Sequence, residues 1–197
     1  MHEGRKKEEF NNFNKTILEL GSGEGCFGKV LKKKGYNVIC SDLNTENFGV
    51  EDIECLQIDV NHSLDFEDEK FDYVIAIEVI EHLENPYNLI HESYRILKKG
   101  GKLILTTPNT QSIYNRLFFL ITGHMIFFNN FYLTINHISP IFLFILKHII
   151  ENKFEIKQIN FTGSPIFISS RGILNKFRFP DNISIFGENI ILELEKL

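Results

Sequence analysis

Cysteine is scarce in this chain, three residues in 197, at Cys26, Cys40 and Cys55. None sits in a Cys-x-x-Cys pair or at Cys/His ligand spacing, so neither a disulfide framework nor a thiolate zinc site is encoded. An odd number of thiols fits the reducing cytoplasm. Positive charge is also short: 21 Lys and Arg against 26 Asp and Glu leave a net charge of −5. A nucleic-acid binder needs a basic face to meet phosphates, so nucleic acid is a disfavoured partner. Long apolar runs are missing too. The most apolar region, 113–150, holds no Asp or Glu, yet Thr122-Gly123-His124, Asn129-Asn130 and Asn136-His137 interrupt it. It never reaches the roughly 18 uninterrupted residues of a membrane-spanning helix. The opening MHEGRKKEEFNNFNK lacks the apolar core of a secretory leader. These absences imply a cytoplasmic protein without a transmembrane segment.

What is present is the composition of a globular domain, 43% hydrophobic and 24% charged, long enough to bury a core unaided. Short, nearly all-apolar runs at Thr16–Leu20, Asn37–Ser41, Cys55–Ile58, Phe71–Ile77 and Gly101–Thr107 read as strands covered on both faces. Helices fit between them at Cys26–Lys34, closed by Gly35, and at Pro86–Leu97, with Asn85 as N-cap and Pro86 in the first position. Strands alternating with crossover helices predict a mostly parallel sheet. Past Pro108 the texture changes. Residues 108–138 are aromatic-rich and weakly periodic, predicting short helices, and Ile141–Glu151 predicts another. Phe154–Phe161 and Glu188–Glu195 alternate like antiparallel neighbours. The connection 162–187 is long, and such connections are commonly functional.

The first chemical signal is the turn Glu19-Leu20-Gly21-Ser22-Gly23-Glu24-Gly25 after the first strand. Glycines there let a backbone approach a ligand closely, at the carboxyl edge where open α/β sheets bind ligands. A dinucleotide dehydrogenase is one reading: Gly23-Glu24-Gly25-Cys26-Phe27-Gly28 fits G-x-G-x-x-G, and Asp42 follows about 20 residues on. Glu24 and Glu19, however, would sit badly beside a pyrophosphate. Carboxylates suit a ligand carrying an ammonium and a sulfonium and no phosphate, which is S-adenosylmethionine.

Glu19-x-Gly21-x-Gly23-x-Gly25 resembles the first motif of class I S-adenosylmethionine-dependent methyltransferases. By that resemblance Asp42, with Leu43 beside it, is the ribose-binding acid after the second strand. Asp59, with Val60, is the acid that meets the adenine amino group after the third. Phe71–Glu78 resembles the fourth-strand motif, and Leu97–Leu103 the turn into the fifth. The resemblance implies an α/β, Rossmann-like three-layer sandwich whose mostly parallel seven-stranded sheet has an antiparallel last strand. It implies one domain over 1–197, with 16–107 as cofactor-binding half and 108–140 and 162–187 as lid or substrate inserts. The implied cofactor is S-adenosylmethionine, leaving as S-adenosylhomocysteine, held by Glu19, Gly21, Gly23, Gly25, Asp42, Leu43, Asp59, Val60 and Glu78. Few residues precede the first strand, so the lid comes from those inserts or from a second subunit, which would make a homodimer.

Glu78-Val79-Ile80-Glu81-His82-Leu83 is the second signal. It resembles an E-V-x-E-H segment of methyltransferases in small-molecule and polysaccharide pathways, as Thr106-Thr107-Pro108-Asn109 does. His82 then reads as a general base, since imidazole titrates near neutrality; the competing reading has Glu81 and His82 only capping a loop or orienting the cofactor. His137 reaches this site from the lid or lies at a helix start on the surface. Glu78, Glu81, His82 and His137 also resemble the metal ligands of RNA 3′-terminal 2′-O-methyltransferases. Asn136-His137-Ile138-Ser139-Pro140 lacks that family's second histidine and acidic-aromatic run, so the reading adopted assigns no metal.

The expected function is O-methylation of a small acceptor, a sugar or another small metabolite, with Glu81, His82 and His137 as the catalytic set. A cofactor-binding subunit that does no chemistry stays as an alternative, and the dehydrogenase stands last. For 113–138 the plainer expectation is a cap on the sheet edge with Phe118, Phe119, Phe127 and Phe128 as core. Its rival is an exposed apolar surface for a lipid-linked acceptor or a partner.

Overall fold

The computed structural model describes residues 15–162 and 187–197, so the insert expected at 162–187 lies almost wholly outside the described residues. Strands β1 (Thr16–Leu20), β2 (Asn37–Asp42), β3 (Glu54–Gln57), β4 (Phe71–Ile77), β5 (Leu97–Pro108), β6 (Phe154–Thr162) and β7 (Asn189–Lys196) form one sheet, ordered β3-β2-β1-β4-β5-β7-β6. Pairing is parallel from β3 across to β5. β7 alone runs against its neighbours β5 and β6. Helices α1 (Cys26–Lys33), α2 (Pro86–Ile96), α3 (Ile113–Thr122), α4 (Asn130–Leu133) and α5 (Leu143–Ile150) connect the strands, with 3₁₀ turns at Ile80–His82 and Ile126–Phe128.

Period-two alternation divides the strands between two cores. Leu18, Leu20, Val74, Ala76, Leu103 and Leu105 pack under α2 and α5, whereas Ile17, Val38, Cys40 and Ile75 pack with Leu31 of α1. Both faces are therefore covered, as the all-apolar strands predict.

Three local expectations differ from what is seen. α2 stops at Ile96, because Leu97 is extended and pairs with Phe71; β5 thus begins at Leu97 rather than Gly101. Asn85 makes no side-chain cap bond to α2, and its own N–H donates to Asn61 Oδ1 at 3.0 Å. The aromatic segment is not core. Phe119, Leu120 and Ile121 are 52%, 80% and 83% exposed, Phe118, Phe127 and Phe128 are half-buried, and α3 buries only Asn115.

The thiols sit in contrasting places. Cys26 is exposed, whereas burial, helped by the neighbouring Glu19 carboxylate, pushes Cys40 up to about 12. Because the thiolate is the reactive species, a disulfide reagent at pH 8 should modify Cys26 first and reach Cys40 only after denaturation. Equal rates for the two would contradict the packing of β2 between β1 and β3.

Candidate active site

The sheet order reverses at β1, which lies between β2 and β4, and open α/β sheets place ligands at such a switch point, beyond the strands' carboxyl ends. A cavity of about 330 Å³ lies there. It is lined by Gly21 after β1, Asp42 and Leu43 at β2, Ile58–Asn61 after β3, Glu78, Val79, His82 and Leu83 after β4, and Ile135 and Asn136 from the aromatic segment. Five segments thus converge on one hollow, and among the described residues none that lines it is Lys or Arg.

The loop after β1 owes its shape to glycine. Gly21, Gly23 and Gly25 have φ of 68°, 53° and 81°, a region costly for any residue with a Cβ. Gly21 leaves no room besides: a Cβ there would run into the Val79 side chain. The loop is then tied to β2. Gly23 N–H donates to Asp42 Oδ2 at 2.8 Å, and Ser22 Oγ donates to the Ser41 carbonyl at 2.9 Å. Asp42 Oδ1 also accepts from Asn44 N–H at 3.1 Å. Each carboxylate oxygen has a further lone pair free for a ligand hydroxyl. Asp59 is fixed the same way, its Oδ1 accepting from Asn61 N–H and Nδ2, both at 2.9 Å.

Three predicted ligand residues, Glu19, Gly23 and Gly25, are not among those that line the cavity. Glu19 is 4% exposed and bonded by the Cys40 thiol at 3.3 Å, behind the loop rather than in the cavity. Burial raises its carboxyl above the ordinary value. Gly25 also lies off the cavity, packed against Phe48 and Val50. These two shape the loop. Val60 is buried, Leu43 is 63% exposed at the rim, and Gly23 contributes through its bond to Asp42.

Beyond β4 the chain makes a strained turn. Glu78 holds φ at 54°, unusual for a non-glycine residue, and is pinned by Thr106, whose Oγ1 accepts from Glu78 N–H at 2.9 Å and donates to Glu78 Oε1 at 2.7 Å. The following 3₁₀ turn carries Glu81 inward and His82 to the cavity wall. Glu81 is fully buried, with Thr107 Oγ1 donating to its Oε2 at 3.3 Å. Burial first, then repulsion from Glu78, pushes its carboxyl well above the ordinary carboxylate range.

His137 does reach this site. Its segment is stitched on by two bonds to the Glu81 carbonyl, from Ile138 N–H at 3.0 Å and Ser139 N–H at 2.9 Å. Asn136, at φ 62°, turns the chain so that the next ring enters the interior. The His137 and His82 rings meet edge-on at 4.6 Å, and Phe128 and Tyr132 pack on His137 from behind. Burial first, then the neighbouring His82, lowers the His137 pKa below the ordinary imidazole value. Glu81 and His82, adjacent in the chain, and the distant His137 thus form one cluster. Asn61, Ile135 and Asn136 are cavity residues that the motifs do not single out; the one sequence trace of the last is the Asn-His break in the apolar segment.

The fold is similar to that of a SAM-dependent methyltransferase from Archaeoglobus fulgidus, at TM-score 0.67 and 21% identity, covering 94% of this chain and 88% of that one. It is also similar to an S-adenosylmethionine-dependent methyltransferase from Mesorhizobium loti, at TM-score 0.63 and 16% identity over 95% and 94% of the two chains. In sequence it matches the ubiquinone biosynthesis O-methyltransferase of Hydrogenovibrio crunogenus, 31% identical over 105 residues, 49% of this chain and 44% of that one. The enzyme of that name from Erwinia tasmaniensis is 26% identical over 111 residues, 51% and 45% of the two. The chain therefore spans about half the length of the curated relatives it matches. The sequence profile of a methyltransferase domain family covers residues 5–151, three-quarters of the chain and all but the last two strands. The chain belongs to this methyltransferase domain family and has the class I fold of S-adenosylmethionine-dependent methyltransferases.

Proposed function

We propose that this protein transfers a methyl group from S-adenosylmethionine to a hydroxyl oxygen of a small acceptor. The observation that carries the reading is the cavity at the switch point, walled by the carboxylates of Asp42, Asp59 and Glu78 and, among the described residues, by no Lys or Arg. A pyrophosphate would meet only like charge there, so a dinucleotide fits poorly. A nucleoside bearing an ammonium and a sulfonium fits well. Asp42 would hold the ribose hydroxyls through its two unfilled lone pairs, Asp59 would accept from the adenine amino group, and Leu43 and Val60 would cover the ring. Glu78 would face the cationic methionyl end, with Gly21 letting that chain pass over the backbone.

S-adenosylmethionine bound here supplies an electrophilic methyl group on sulfur. The protein's part is alignment and exclusion of water. His82, on the cavity wall, lies on the acceptor side and meets the hydroxyl, while Glu81 and His137 hold it from behind. In that transfer the cofactor would supply the methyl group and leave as the neutral thioether, with the hydroxyl proton passing to solvent, while the chain's own residues would hold the two reactants in line. Ile135 at the cavity and the exposed Phe119, Leu120 and Phe131 of the same aromatic segment favour an apolar, ring-bearing or lipid-linked acceptor over a sugar. The relatives named for ubiquinone biosynthesis support the same preference.

Calorimetric titration with S-adenosylhomocysteine and, separately, with NAD⁺ tests the cofactor. The first should bind and the second should not, and Asp42→Ala should weaken binding by about tenfold or more, as loss of charge-assisted hydrogen bonds does. Binding of NAD⁺ alone would sink the proposal.

A further inference from the structure

We infer that α3 is a membrane-docking helix, which lies flat on a surface of anionic lipids with its outward apolar face among the headgroups. The helix is amphipathic in the reverse sense. The residue it buries is Asn115, 2% exposed, whereas Leu117, Phe119, Leu120 and Ile121 are 51%, 52%, 80% and 83% exposed. Leu117, Leu120 and Ile121 share one face by their spacing of three and four. Single exposed apolar side chains are ordinary, but several together on one helix mark a surface that meets a partner. The polar side, meanwhile, is fastened to the body of the protein. Asn115 Nδ2 donates to the Asn109 carbonyl at 2.7 Å, and Ile126 N–H donates to Asn115 Oδ1 at 2.8 Å. Ser112 Oγ caps the helix by accepting from Asn115 N–H at 3.2 Å. Rolling α3 to hide its apolar face would break these bonds and leave buried polar groups unpaired. Its outward aim is therefore built in.

Charge names the occupant. The chain as a whole has a net charge of −5, yet all 26 of its Asp and Glu lie outside 113–150, where the fixed charges are Arg116 and Lys147. Both cations are exposed, and Arg116 stands on α3 one turn before Leu120. A second copy offering the same face would set cation against cation, with no carboxylate from the segment to pair them. Anionic headgroups pair them directly, and an arginine stem lies along apolar surface while its guanidinium reaches the phosphates. Among the described residues no helix is long and apolar enough to cross a membrane, which suits α3 to lying in the interface. Phe131, Leu133 and Ile135 of the same segment are exposed as well, and Ile135 lines the cavity. A membrane here would bring an acceptor held in the bilayer toward the cavity. That consequence rests on the proposed methyl transfer; the docking itself does not.

The test is co-sedimentation of the full chain with vesicles of equal parts phosphatidylcholine and phosphatidylglycerol, and with phosphatidylcholine alone. The mixed vesicles should bind the protein, and the neutral ones at least about fivefold less, as each basic residue near an anionic surface contributes about that factor. Leu120→Glu combined with Ile121→Glu should weaken binding at least about 100-fold, because two apolar side chains leave the interface. Arg116→Gln should weaken it about fivefold. Lys99→Gln removes the same charge from the exposed turn inside β5, away from α3, and should change nothing. The substituted positions are exposed, and melting curves check that each variant is folded. No binding to mixed vesicles, binding that the double variant leaves intact, or a dimer in sedimentation velocity that the double variant dissociates would overturn the inference. S-adenosylhomocysteine titrated without vesicles separates the two claims. If that ligand binds and vesicles do not, the methyltransferase reading stands and the docking surface falls; the converse result removes the reading and keeps the surface.

Discussion

Replacing Gly21 by alanine should weaken S-adenosylhomocysteine binding by at least about 100-fold, some 2.7 kcal/mol, in a protein that still folds. Two separate costs meet at this residue. The first is conformational: at φ 68° a Cβ adds about 1–2 kcal/mol of strain. The second is steric, because the new methyl group would be driven into the Val79 side chain. Val79 is β-branched and 8% exposed, so it has neither rotamer freedom nor space to yield. Relief must come from the backbone, which at the adjacent Glu78 is already held at φ 54° by Thr106. Both residues line the cavity, so the displacement falls where the ligand would lie. Gly100→Ala is the control. Its φ is 73°, its Cβ would have nothing within 4 Å, and it stands away from the cavity. It should lower the melting temperature by the strain alone and leave affinity unchanged. Calorimetry with both variants decides the matter: if Gly21→Ala binds within twofold of wild type, the ligand does not cross this loop.

The residues legible in the sequence are those whose neighbours in space are also neighbours in sequence. β1 and β4 have the predicted bounds because each is an apolar run that cannot stop earlier without leaving a buried backbone unpaired. Asp42 and Asp59 are readable because each lies at or just past a strand's carboxyl end, where topology alone delivers it to the cavity. Glu19 carries a signal pointing the other way. It shares a face of β1 with Ile17 by period-two alternation, and that face is core, so its carboxylate meets Cys40. The start of β5 is hidden because Leu97 is decided by its pairing with Phe71 across the sheet, not by the helix pattern that runs up to it. His137 is the harder case. Nothing near it in the sequence shows that Ile138 and Ser139 bond the Glu81 carbonyl, and those two bonds turn a histidine in an apolar segment into part of the site. The apolar residues around α3 leave no distinct polar face, so periodicity does not say which side is exposed.

Asp72 should contribute about 2 kcal/mol of stability at neutral pH, removed by Asp72→Asn. Burial by itself would raise its pKa. Bonds from Lys98 Nζ at 2.8 Å, Thr16 N–H at 2.9 Å and Lys15 Nζ at 3.0 Å outweigh that and hold the carboxyl at about 2. The pKa is depressed in the folded state, so the contribution is complete above the unfolded value of about 4. It then disappears as pH falls toward 2. Urea unfolding of both proteins at several pH values should therefore show a gap that is constant above about pH 5 and closes in acid. A gap that ignores pH would assign the effect to shape rather than charge. The amide oxygen introduced by the substitution can still accept from Thr16 N–H, so the change removes the charge and little else. The three bonds gather the amino ends of β1, β4 and β5, at the edge of the sheet opposite the cavity. Affinity for S-adenosylhomocysteine should accordingly be unchanged in Asp72→Asn, since a parallel sheet keeps the groups that hold it together at one end and those that meet the ligand at the other.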